Sequence, residues 1–165
     1  MGEDSATLLV DSQRLGWRLV TSTFTEMEII AVVQEEQYVE IRRLEGLPFR
    51  NIYREILGRV TDVERLRMLH GATSRRLQRR FPSIEYLWLG EDGWVEASRL
   101  CGETDIDPGD CIQVATAKLN NSDLFVTRDA NLRARIQRQL PGYIEVAEPR
   151  EVIERLTQQG FTLAT

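Results

Sequence analysis

The chain has 165 residues, 42% hydrophobic and 28% charged, the balance of a soluble domain or of one domain carrying an insertion. No apolar run approaches the ~20 residues that span a bilayer, and the polar, acidic start Met1-Gly2-Glu3-Asp4 predicts no signal peptide, so the expected setting is cytoplasmic, without membrane contact. A net charge of −5 argues against a wholly basic nucleic-acid binder; Cys101, Cys111 and His70 show no zinc-ligand spacing, and two cysteines suit a reducing compartment.

In chain order, residues 5–15 read as a helix, with Leu8, Leu9, Ser12 and Leu15 on one face and Gly16 as the stop. Arg18 to Thr21 reads as a short strand. A long helix from Glu26 to Arg43 follows, carrying Ile29, Ile30, Val33 and Ile41. Pro48 opens another helix with Ile52, Ile56 and Leu57. Thr61 to Glu64 forms a capping-box pattern before a helix bearing Val63, Leu66, Leu69, Leu77 and Phe81. Ile84 to Leu89 is the next predicted strand and Gly93 to Cys101 the next helix. Asp107-Pro108 starts a further helix with proline at its first position. Leu124 to Thr127 is an apolar strand, 130–139 a helix ending near Pro141-Gly142, Tyr143 to Val146 the last strand, and Pro149 the start of a last helix that Gly160 stops.

Strands alternating with helices imply an α/β fold with a mostly parallel sheet covered on both faces. The stretch 36–82 is wholly helical and longer than a crossover needs, which predicts a helical arm within a single domain spanning 1–165. Its Arg75, Arg76, Arg79 and Arg80 form one cationic cluster; Arg128, Arg133, Arg135 and Arg138 form another. Of 21 basic residues only Lys118 is lysine. That bias fits a GC-rich genome, and it also fits phosphate contact by forked guanidinium groups.

Three acids fall at equivalent places. Glu28 lies in the predicted first turn after the strand Arg18–Thr21, Asp110 in the first turn of the Asp107-capped helix, and Asp129 directly after the strand Leu124–Thr127. Helix starts in a right-handed α/β fold gather at the carboxyl edge of the sheet, where ligands bind. Each acid also has an ordinary local explanation: a capping box Thr25-Glu26-Met27-Glu28, a dipole-favoured first turn for Asp110, an N-cap for Asp129. The caps account for each position but not for the accumulation. Clustered carboxylates repel, and a bound divalent cation relieves that repulsion.

These segments resemble the PIN-domain family. Ser22-Thr23-Phe24-Thr25-Glu26-Met27-Glu28 is similar to the family segment in which a strand ends in serine and a helix carries an acid six residues on. Gly109-Asp110-Cys111-Ile112-Gln113-Val114-Ala115-Thr116-Ala117 resembles the aspartate that opens an Ala-Thr-Ala helix, and Phe125-Val126-Thr127-Arg128-Asp129-Ala130-Asn131-Leu132 resembles the Thr-x-Asp motif after an apolar strand. The resemblance covers about 17–155 and matches 36–82 only loosely. It implies a three-layer α/β/α fold with a helical insertion between the second and third family strands, and a metal-dependent endoribonuclease. Glu28, Asp110 and Asp129 would be catalytic and hold Mg2+ or Mn2+. Thr127 would orient the metal's ligands by hydrogen bonding, or serve only as a buried strand threonine. Arg128 would contact RNA. The implied partners are single-stranded or structured RNA, an antitoxin protein if the chain is the toxin of a toxin–antitoxin pair, and a second copy in a homodimer.

The sequence departs from the family at its start. The family opens with a strand ending in an aspartate, lying between the counterparts of Arg18–Thr21 and Leu124–Thr127, and no such strand precedes Arg18. Reading Leu8 to Ser12 as that strand, with Asp11 as the acid, leaves only Gln13 to Trp17 before Arg18, too short for a parallel crossover. The expectation is a native chain that begins upstream of Met1. If Met1 is the true start, the alternative is a degenerate, non-catalytic PIN-like module that binds RNA or a protein. A receiver-like phosphoacceptor is a third reading, disfavoured because Lys118, the sole lysine, falls inside a helix. His70 reads as structural, Trp88 and Trp94 as core and turn anchors around Gly90 to Gly93, and Cys111 as a small buried hydrophobe.

Overall fold

Every described strand is three or four residues long and is followed by a helix, the βα rhythm that keeps paired strands parallel. A computed structural model describes residues 3–48, 51, 71–72, 75–76, 78–79 and 81–163. The described elements are α1 (Glu3–Arg14), β1 (Leu19–Ser22), α2 (Thr23–Leu44), β2 (Ile84–Leu87), α3 (Gly90–Glu103), α4 (Pro108–Leu119), β3 (Leu124–Val126), α5 (Ala130–Gln139), β4 (Glu145–Ala147) and α6 (Pro149–Gln158). They fall into two units, Met1–Phe24 with Ser83–Thr165, and Thr25–Pro82. No described helix is long and apolar enough to cross a membrane.

In the first unit β1 pairs with β2, placing Leu19 against Ile84 and Ser22 against Leu87, and β3 pairs with β4, placing Leu124 against Glu145 and Val126 against Ala147. Both pairs are parallel, as expected. They are separate ladders among the described residues, where the sequence predicts one sheet. Helix α4 touches both β1 and β3, and packs along α3. Its sequence explains that central place. Cys111, Ile112, Val114, Ala115, Thr116 and Ala117 are all buried, so the helix is apolar nearly all round, as a core helix must be. Around it Ala97 and Leu100 of α3, Leu132 and Ile136 of α5, and Val146 of β4 complete the main cluster. A smaller cluster joins Leu8 of α1 to Ala147, Val152 and Leu156. The helix predicted at 5–15 is thus present as α1, and the strand reading of Leu8 to Ser12 is not: Asp11 is a buried helical residue ion-paired with Arg14 at 2.9 Å.

Several boundaries differ from the sequence reading for local reasons. Helix α2 starts at Thr23, directly after β1, so Thr25 is inside the helix and the predicted capping box does not mark its start. Helix α3 starts at Gly90, whose φ of +66° admits a turn that other residues resist, and absorbs the segment Gly90 to Gly93 into its first turn. There Gly93 leaves room for Leu89: a Cβ would sit 2.5 Å from Leu89 Cγ, so that side chain would have to shift. Trp88 and Trp94 are consequently not core anchors; they are 75% and 49% exposed. Strand β4 begins at Glu145, later than predicted, because Tyr143 closes the turn after α5 through its N–H to the Leu140 carbonyl (3.0 Å). The Tyr143 hydroxyl donates to Glu96 (2.5 Å), and the Arg99 guanidinium, followed by that hydroxyl, holds the Glu96 carboxyl down to about 2. Asp107, Pro108 and the last helix match the sequence reading: Asp107 caps α4 with Pro108 in its first turn, and Pro149 opens α6, closed by Gly160 at φ +86°.

In the second unit α2 runs on to Leu44 and turns at Gly46 (φ +81°), so the long helical stretch is broken there. Gly71, Ala72, Arg75, Arg76, Gln78 and Arg79 are helical. The predicted helix from Pro48 with Ile52, Ile56 and Leu57, the capping box at Thr61, the apolar face Val63, Leu66, Leu69 and Leu77, and His70 lie outside the described residues.

Candidate active site

Two helix starts bring carboxylates together in the first unit. At the start of α4, Asp107 accepts the Gly109 N–H at 3.0 Å, and its carbonyl accepts the Cys111 N–H at 2.8 Å. This cap fixes the first turn and with it Asp110. The Asp110 side chain is half-buried and hydrogen-bonds to no described residue. Its pKa is raised, first by burial, then by the negative charges of Asp107 and Asp129, with Arg135 opposing. That ordering places both acids within electrostatic reach of Asp110.

At the start of α5, Asp129 is held from both sides. Its Oδ1 accepts the N–H groups of Asn131 (2.8 Å) and Leu132 (3.0 Å), an N-cap as the sequence suggests. Its own N–H donates to Thr127 Oγ1 at 3.2 Å. Thr127 lies one residue beyond β3 rather than within it; its N–H donates to the Ala147 carbonyl (3.0 Å) and its carbonyl accepts from Arg133 (3.0 Å). Thr127 therefore acts on the Asp129 backbone. Oδ2 of Asp129 is engaged by no described donor. Arg128, between them, is exposed and makes no ion pair with a described residue.

The second predicted arginine cluster is mostly committed inside the protein. Arg133 pairs with Glu148 at 3.1 Å, and Arg135 and Arg138 both reach Asp105. Glu28 is exposed on α2, in the second turn rather than the first because the helix starts at Thr23, and it belongs to the second unit. Among the described residues no three His, Cys, Asp or Glu side chains form a group able to hold a metal.

Two residues contribute beyond what the sequence assigns them. Asp107 was legible only as a cap, yet its charge is the largest charge effect on Asp110. Ser22, buried at the end of β1, donates to Gln113 Oε1 at 2.9 Å, one turn along α4 from Asp110. A buried serine ending a strand and a polar residue on an otherwise apolar helix were the available signals. Cys111 is buried as expected, and burial, then the Cys101 thiol, push its own thiol up to about 12, which makes it inert rather than catalytic.

Asp110 stands in the first turn of α4, and Asp129 caps α5 just after the short parallel strand β3. The PIN-domain family model matches residues 3–136, which is most of the chain and includes both acids. The chain belongs to the PIN-domain family. PIN domains have a three-layer α/β/α fold, are commonly nucleases, generally use divalent metal ions and generally act on RNA. No curated protein and no solved structure matches the chain significantly.

The donor set fits a hard divalent cation. Asp110 offers a half-buried carboxylate without a described donor, and Asp129 offers one oxygen beyond its cap. Mg2+ and Mn2+ take oxygen ligands and are often held by one or two carboxylates plus waters.

Proposed function

We propose that the chain is a metal-dependent endoribonuclease of PIN type, with Asp110 and Asp129 as its metal-holding carboxylates. One observation carries the reading: Asp110 is kept half-buried beside two other acids, with no described donor to offset its charge. Such an arrangement costs stability in the free protein, and a cation reverses that cost. Mg2+ or Mn2+ held there would supply positive charge to the attacking water and to the phosphate in an in-line displacement.

The chain's own groups set up that chemistry. The Asp107 cap and the buried apolar faces of α4 fix where the Asp110 carboxylate points. The Asn131 and Leu132 amides hold one oxygen of Asp129 and leave the other open. Thr127 locks the turn between β3 and α5. Arg128, exposed beside Asp129, supplies a phosphate-binding cation next to the acids. In a toxin–antitoxin setting the same exposed edge would be what an antitoxin covers, and the cell compartment is the cytoplasm.

The second reading is a degenerate, non-catalytic PIN-like module that binds RNA or a protein partner. Cleavage of a labelled single-stranded RNA by the full chain separates the two. Expected is cleavage in Mn2+, none in EDTA, and a loss of more than ~100-fold in Asp110→Asn and in Asp129→Asn, beyond the 10–100-fold that outer partners of a metal site contribute. Cleavage that persists in EDTA or in both variants would overturn the assignment. RNA binding without cleavage under any divalent ion would establish the module.

A further inference from the structure

The arginines divide unequally between the two units. In the first unit every arginine but Arg128 pairs with an acid: Arg14 with Asp11, Arg18 with Glu85, Arg99 with Glu96 and Glu103, Arg133 with Glu148, Arg135 and Arg138 with Asp105, Arg150 with Glu154, Arg155 with Glu145. In the second unit Arg75, Arg76 and Arg79 are exposed and pair with no described acid. They line, with Ala72, a hollow of about 570 Å³. The Arg75 guanidinium folds back over Gly71, where a Cβ would lie 3.3 Å from its Nη1, so a residue without a side chain gives it room.

Positions i, i+1 and i+4 of one helix put three forked cations around one depression. Three unneutralised guanidinium groups in one place repel one another, and a polyanion offsets that repulsion. The chain as a whole carries −5, so its overall field repels RNA and a contact to the backbone has to be made locally.

We propose that the hollow lined by Arg75, Arg76 and Arg79 is a phosphodiester-binding surface for the RNA strand, which sets substrate affinity rather than the chemical step. This rests on RNA being the substrate. Phosphate is favoured over an acidic peptide because three clustered guanidinium forks with no lysine among them suit tetrahedral oxyanions presented in series along a strand.

The test uses the full chain and a fluorescent single-stranded RNA, with binding measured in EDTA so that no turnover occurs. Arg75→Ala/Arg76→Ala/Arg79→Ala is expected to bind roughly 10-fold or more weakly at low salt, and to lower the slope of log affinity against log salt by about 2, since each single-strand phosphate contact contributes about 0.7. The triple lysine variant should keep the slope and lose part of the affinity. In Mn2+ the alanine triple should raise KM and leave kcat unchanged. Unchanged affinity and slope in the alanine triple overturns the inference, as does displacement of RNA by polyglutamate as readily as by unlabelled RNA, which would assign the hollow to an acidic protein. The ribonuclease reading fails separately: RNA bound through the hollow but never cleaved leaves this inference standing, while cleavage unaffected by the triple variant removes only this inference.

Discussion

Helices α4 and α5 both begin at an aspartate cap, and the two starts use their acids in opposite ways. At α5 the cap and the candidate ligand are one residue: Asp129 satisfies two backbone N–H groups and still has an oxygen to offer. At α4 the roles are split. Asp107 caps, and Asp110, three residues on, has a half-buried carboxylate that no described donor meets. A cap explains Asp129 completely as structure. The helix dipole favours a negative charge at Asp110, yet burial and two neighbouring acids raise its pKa, so its position is the costlier of the two.

Adding metal should break the symmetry most. With Mn2+ at ~100 times its dissociation constant, the wild-type chain should gain about 2.7 kcal/mol in stability. Asp110→Asn and Asp129→Asn should each abolish that gain. A thermal melt with and without Mn2+ reads it directly, and equal gains in wild type and both variants would return the two acids to ordinary first-turn residues.

Next in size is the cap itself. Asp129→Ala removes the acceptor for two N–H groups and should cost ~1 kcal/mol in urea unfolding of the metal-free chain, while Asp129→Asn, an equally good cap, should cost almost nothing. The asparagine variant thereby separates capping from metal binding. Thr127→Val should cost ~0.5–1.5 kcal/mol, the worth of the hydrogen bond that it takes from the Asp129 amide. It should also weaken Mn2+ binding by loosening the turn that carries Asp129. A variant that loses stability but binds Mn2+ as before would show that Thr127 holds only the loop.

The sequence made much of this legible where the pattern was local. Asp107-Pro108, the helix 130–139 and the turn glycines are encoded within a few residues, and the structure has them there. What it hid depends on distant packing. Trp88 and Trp94 look like core residues by composition, but the start of α3 at Gly90 turns both outward. Glu28 moved from the first to the second turn because α2 begins directly on the end of β1, which no capping pattern announces. Four arginines near Asp129 read as one cationic surface; Asp105 and Glu148, remote in sequence, claim three of them. The sequence shows Asp107 as a cap and not as a charge acting on Asp110, because that effect depends on the distance between side chains rather than on spacing along the chain.

The smallest effect is the most diagnostic of the α4 start. Burial, then Asp107 and Asp129, raise the Asp110 carboxyl above its ordinary 3.8. The folded state therefore holds that proton more tightly than the unfolded chain does. Its contribution to stability is fully present below the unfolded value and is lost as pH rises through the higher folded value. At neutral pH without metal, the Asp110 charge opposes folding. Asp110→Asn removes the charge while keeping the shape, so the metal-free variant should be slightly more stable than wild type at pH 7 and should converge with it below pH 3.8. Urea midpoints across that range, in EDTA, give the comparison. A variant less stable than wild type at pH 7 would mean that the carboxylate is locally satisfied, and Asp110 would then be a structural residue like Asp107.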